Sequence, residues 1–126
     1  MKRDMEFIRE LLLAIEAMDN QNCHSYQIEF PSPQDISKVN YHLHLLIDAG
    51  FIEGKPITTF GEDVPHIWIK RMLWAGHDFL DSTKNESIWQ KTKELIVKKG
   101  FSMESVGFSV LTQVLASVAK KHLDLN

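Results

Sequence analysis

Apolar residues fall at helical spacing from the start of the chain. Ile8, Leu11, Leu12, Ile15 and Met18 are separated by steps of three, one, three and three. Such a stripe predicts an amphipathic helix. Asp4 is placed to cap it and Glu6 sits in the first turn, where the helix dipole favours a carboxylate. The helix is expected to end near Asp19-Asn20. The rhythm then shortens to two. In "HSYQIEF", residues 24–30, Tyr26, Ile28 and Phe30 alternate with Gln27 and Glu29. That alternation predicts a short half-buried strand, which Pro31 and Pro33 would stop. Helical spacing returns with Ile36, Val39, Leu43, Leu46 and Ile47. The helix they predict covers residues 33 to 49, with Ser32 as N-cap, Pro33 at the first position and Asp35 close behind. Gly50 supplies a left-handed residue to end it.

Residues 51–73 read as a β-hairpin. "FIEGKPITTF" and "HIWIKRML" are strand-like, and "GEDVP" between them is turn-like. Pro56 has no N–H to donate, so the first strand is expected at a sheet edge or bulged near Gly54. "WAGHDFLDS" starts a helix at Trp74, and Asn85 caps the next, which carries Ile88, Thr92, Leu95 and Ile96 on one face and closes at Gly100. Ser102 is expected to cap a final helix over 103–123, whose apolar positions include Val106, Val110, Leu111, Val114, Leu115, Val118 and Leu123.

This order predicts an α+β, mostly helical fold: a winged-helix-like domain with a C-terminal helical extension. The domain, residues 1–83, holds a helix, a short strand, a second helix and a β-hairpin wing. The extension, residues 84–126, packs on that domain or on a partner subunit. The length of 126 residues suits one domain. With 44% hydrophobic and 25% charged residues, the chain has the composition of an ordered protein. The single cysteine, Cys23, excludes an internal disulfide and a Cys-rich metal site. The longest apolar run, Leu11 to Ile15, is far too short to span a membrane. No signal-peptide pattern opens the chain, so a reducing cytoplasmic setting is expected.

The segment "NYHLHLLIDAGFI", residues 40–52, resembles the "YHLxxLxxAGLI" segment of winged-helix transcriptional regulators. The chain also resembles a family of short bacterial and prophage proteins grouped as a domain of unknown function. The resemblance rests on "MKRDMEFIRELLLAIE" (1–16), "YHLHLLIDAGFIEG" (41–54), "WAGHDFLD" (74–81) and "IWQKTK" (88–93). It covers the first three-quarters of the chain and implies a winged-helix-like fold and a link to mobile elements. A Thr or Ser commonly caps the "xxGxxFL" helix in that family, whereas this chain has Leu73 there. The other departure is spacing. A helix-turn-helix needs a full helix ahead of the recognition helix, and only Pro31 and Ser32 separate the strand from the second helix.

Turning about 100° per residue from Leu43 makes the outward face of the second helix Gln34, Ser37, Lys38, Tyr41, Leu45 and Asp48, with His42 and His44 on its flanks. Candidate contacts to duplex DNA are Gln34, Ser37, Lys38, Tyr41 and His44, together with Lys70 and Arg71 on the wing. Charge argues against them. Residues 1–83 carry 7 Lys/Arg against 13 Asp/Glu, while residues 84–126 carry 7 against 4. A duplex-binding module neutralises several phosphates with Lys/Arg. Two functions therefore compete: a DNA-binding transcriptional regulator of mobile-element origin, and a winged-helix protein-interaction module that does not bind DNA.

The last helix is apolar on more than one face, which predicts a homodimer through Leu111, Val114, Leu115 and Val118. The basic run Lys91, Lys93, Lys98 and Lys99 suits the acidic front half of another subunit or a nucleic acid, or else forms a solvated helix face. His77 and Asp81 share a helix face at i, i+4, and Asp81 is expected to accept a hydrogen bond from His77; two ligands fall short of a zinc site. Cys23, beside His24, reads as a loop thiol. Trp68, Trp74, Phe79 and Trp89 are expected to form a core between wing and C-terminal helices. No phosphate loop, nucleophile elbow or Cys/His signature is present, so neither an enzyme nor a cofactor is expected.

Overall fold

In the computed structural model, which describes residues 1–18, 22–57 and 66–123, the first helix begins as its stripe predicts. Asp4 caps α1 (Met5–Glu16) by accepting a hydrogen bond from the Phe7 N–H at 3.0 Å. Ile8, Leu11, Leu12 and Ile15 are all buried.

The strand expected over 24–30 is shorter and lies earlier. β1 is Cys23–His24, followed by a single 3₁₀ turn, Ser25–Gln27. Local side chains end the strand. Gln27 Oε1 accepts from the His24 N–H at 2.7 Å, and Ser25 Oγ accepts from the Ile67 N–H at 3.1 Å. These side chains compete with ladder hydrogen bonds and curl the backbone into a turn. Tyr26 is consequently 62% exposed rather than half-buried, and Cys23 is buried in β1 rather than lying in a loop.

The second helix, α2 (Ile36–Asp48), starts three residues later than expected. Asp35 wins the cap from Ser32, accepting from the Ser37 N–H at 2.9 Å. Gln34 therefore lies ahead of the helix, bonded to Ser32. Gly50 ends the helix at φ 75°, and the Phe51 N–H returns to the Leu46 carbonyl at 2.9 Å.

β2 (Ile52–Ile57) and β3 (His66–Met72) form the antiparallel hairpin, with a register shift between Glu53 and Gly54. The expected turn, "GEDVP", lies outside the described residues. The sheet order is β1-β3-β2, so β2 is an edge strand and Pro56 is tolerated there. A Cβ on Gly54 would approach the Trp68 carbonyl oxygen to 2.6 Å.

α3 (Trp74–Thr83) has no side-chain cap, as Leu73 implies, whereas Asn85 caps α4 (Glu86–Lys98) through the Ile88 N–H at 3.0 Å. The final helix, α5 (Phe108–His122), begins later than expected. Ser102 and Ser105 accept from each other's backbone N–H groups at 3.1 and 3.2 Å, so Ser102 closes one isolated turn.

One apolar core joins all five helices and the inner face of the sheet. α2 lies against the hairpin, α1 against α3, and α4 against α5. The residues expected at a dimer interface are placed inside the chain: Leu111, Leu115 and Val118 are buried in its own core, and Val114 is half-buried against it. α5 buries one stripe against its own chain, while Val110 on its other apolar side is 53% exposed. The expected tryptophan core does not form. Trp74 is 81% exposed, while Trp89 is fully buried and donates from Nε1 to the Glu6 carboxylate at 3.0 Å. The aromatic centre is instead Phe51, Phe79 and Phe108, with centroids 4.9 to 5.5 Å apart.

Gly76 fixes how α3 meets that centre. A Cβ there would collide with the Phe51 carbonyl oxygen and come within 2.8 Å of Met72 Cγ. Gly76→Ala is expected to lower the unfolding free energy by about 1–3 kcal/mol, although alanine is the better helix former. Urea denaturation measures this, and a stabilised variant would contradict the packing described.

Candidate functional site

The buried stripe of α2, Val39, Leu43 and Leu46, turns the opposite side of the helix toward the open side of the hairpin. Ser37, Asn40, Tyr41 and His44 then face Pro56, His66 and Ile67 across a groove of about 260 Å³. Three of the candidate nucleic-acid contacts meet here: Ser37, Tyr41 and His44. The others lie elsewhere. Gln34 precedes the helix, and Lys70 and Arg71 lie toward the far end of β3.

Each of those basic side chains already has a carboxylate. Lys38 Nζ lies 3.3 Å from Asp4 Oδ2 and 4.5 Å from the Phe7 ring centroid. Arg71 Nε donates to Glu53 Oε1 at 2.9 Å, and Lys70 Nζ is 3.8 Å from Glu53 Oε2. The Arg71 hydrogen bond holds Glu53 below its usual pKa, helped by the charges of Lys70 and Arg71. Further along the chain, Lys93 belongs to Glu6 at 2.9 Å, so that member of the basic run is not simply solvated.

The sequence placed His42 on the outward flank of α2. The structure buries it completely. Its Nε2 accepts from the Asp4 N–H at 2.9 Å, and its Nδ1 lies 2.8 Å from the Lys38 carbonyl. An acceptor at Nε2 places the proton on Nδ1, which donates to Lys38. The signal was present in the sequence: position 42 is three residues after Val39 and four before Leu46, inside the buried arc.

The expected hydrogen bond from His77 to Asp81 does not form. Asp81 pairs with Lys84 at 3.3 Å, and Lys84 also meets Glu16 at 2.8 Å. Cys23 Sγ lies 3.6 Å from Met18 Sδ, and burial raises its pKa. A buried thiol of this kind is inert. Among the described residues, no group of three or more His, Cys, Asp or Glu is placed to hold a metal ion. No helix among them is long and apolar enough to cross a membrane.

A family profile described as "Hypothetical protein (DUF2513)" matches residues 2–102. The chain belongs to this family. The DUF2513 match takes in α1 to α4 and the whole α2–hairpin groove, and it ends before α5. A relative named "Uncharacterized protein" from Haemophilus influenzae is 28% identical over 121 residues, covering 92% of this chain and 100% of that protein. No solved structure matches this DUF2513 chain.

The His42 node gives the fold a pH dependence. Burial lowers the His42 pKa below its ordinary 6.5, against the opposing effects of the Lys38 carbonyl and the Asp4 charge. The unfolded chain therefore binds this proton at higher pH than the folded chain. Its contribution is complete above 6.5 and is lost as pH falls from there toward the folded-state pKa. Urea midpoints are expected to decrease between neutral pH and acid, and the non-titrating His42→Gln variant is expected to flatten that slope. An unchanged slope in the variant would contradict the assignment.

Proposed function

We propose that this chain is a winged-helix-like module that binds a protein through the α2–hairpin groove and does not read duplex DNA. The element order supports the fold: helix, strand, one 3₁₀ turn, helix, then a hairpin, with sheet order β1-β3-β2. The turn Ser25–Gln27 stands where a helix-turn-helix has its positioning helix. One observation carries the functional half. The basic side chains that would touch phosphates are engaged inside the chain, Lys38 by Asp4, while Lys70 and Arg71 share the one Glu53 carboxylate. What remains on the groove is hydroxyl, amide, ring and imidazole: Ser37, Asn40, Tyr41, His44 and Pro56. Surfaces that combine Tyr with small polar groups suit protein contacts, because tyrosine supplies large contact area at low entropy cost.

Duplex DNA titrated at several salt concentrations tests this reading. Affinity is expected to be undetectable, or its log-log salt slope close to zero. A slope steeper than about −3 would mean several phosphates are neutralised and would end the proposal. A photo-crosslinking residue in place of Tyr41 is expected to capture protein; capture of duplex alone would point the same adverse way.

A further inference from the structure

The hairpin has an outer face that meets the groove only at its His66 margin. Along β3, Ile67 and Ile69 face the core, while His66, Trp68 and Lys70 alternate with them on the outer face. The register pairs Trp68 with His24 on one side and with Lys55 on the other. Cross-strand partners point the same way, so His24, Trp68 and Lys55 form one row across the sheet. A second row is made by Tyr26 and His66. The His24 and Tyr26 rings are parallel within 4°, with centroids 5.3 Å apart. His66 braces both edge-on, at 4.8 Å from His24 and 5.2 Å from Tyr26.

We propose that this outer face is a stacking platform for single-stranded nucleic acid. Three features point there. Tyr26, although it belongs to this ordered cluster, is 62% exposed, so the packed rings present area to solvent. Cations lie among the rings: Lys55 Nζ is 5.4 Å from the Trp68 centroid, and Lys70 is on the same side of β3. Lys70 is shared with Glu53, but Lys55 meets no carboxylate among the described residues, which leaves it to pair with phosphate. An exposed ring cluster with interspersed cations suits unpaired bases on a phosphate chain, since every base has a π-face and each phosphate needs a cation. A duplex keeps its bases stacked inside and offers this face nothing to stack on. The platform adjoins the α2 groove at His66, but Tyr26 and Lys55 lie outside the groove lining, so variants there test it apart from the protein-binding reading.

The test is fluorescence anisotropy of the full chain with a labelled thymidine oligonucleotide at about 50 mM salt. The controls are an abasic phosphodiester of equal length and a duplex. The oligonucleotide is expected to bind at least about tenfold more tightly than the abasic chain. Tyr26→Ala is expected to lose about tenfold in affinity, and Lys55→Glu to weaken binding with a shallower salt slope. Both positions are exposed, so both variants should keep the parent urea midpoint. Tyr41→Ala, in the groove, should bind as the parent does. Equal binding of the abasic chain, no binding at low salt, or loss of binding in Tyr41→Ala with Tyr26→Ala unaffected would each overturn the proposal.

Discussion

The relation between α1 and α2 depends on a neutral imidazole. Through His42, the backbone carbonyl of Lys38 is linked to the backbone N–H of Asp4, 38 residues away from the histidine in sequence. Asp4 then does two further things: it caps α1 at the Phe7 N–H and pairs with Lys38. An unpaired buried imidazole or amide would cost free energy that a marginally stable fold can ill tolerate. The node satisfies all of these groups at once, and Phe7 shields it, with its ring 5.0 Å from His42. The helix carrying the groove is thus oriented from its inner side by polar contacts and by the apolar stripe together.

The same economy governs the charges. Part of the acidity of residues 1–83 is tied up in specific pairs. Asp4, Glu6, Glu16 and Glu53 each hold a specific cation. Exposed ion pairs of this kind contribute little stability. Their consequence lies in recognition, because a lysine facing its own carboxylate gains less on neutralising a phosphate. Net charge by itself would not have distinguished a surface whose cations are free from one whose cations are engaged.

The helices were legible where one stripe and one cap residue agreed. Asp4, Asn85, Gly50 and Gly100 act as their positions suggested. Two beginnings were misread for a shared reason: Ser32 and Ser102 each had a rival nearby. Asp35 took the cap of α2, and Ser105 engaged Ser102 in a local turn. The alternation at Tyr26, Ile28 and Phe30 looked like a strand because period-two patterning carries no information about Ser25 and Gln27 bonding to backbone. That Ser37, Tyr41 and His44 share one side of α2 was legible from helical geometry alone. The pairing of Lys70 and Arg71 with Glu53 depends on hairpin register across 17 or more residues, which local periodicity does not encode. The broad apolar surface of α5 was real, but sequence does not say whether such a surface is covered by its own chain or by another.

The bulge between Glu53 and Gly54, with Pro56 just beyond it, has a meaning for the life of the protein in a crowded solution. An exposed edge strand is a template on which other chains can polymerise. Here the available edge of β2 is distorted at one end, lacks a donor at Pro56 and carries the charged Lys55 between. The opposite edge, β1, is two residues long. The small sheet can therefore leave its outer face open to solvent without offering a neighbour an uninterrupted ladder to extend, and resistance to fibrous aggregation is built into the same strand that frames the groove.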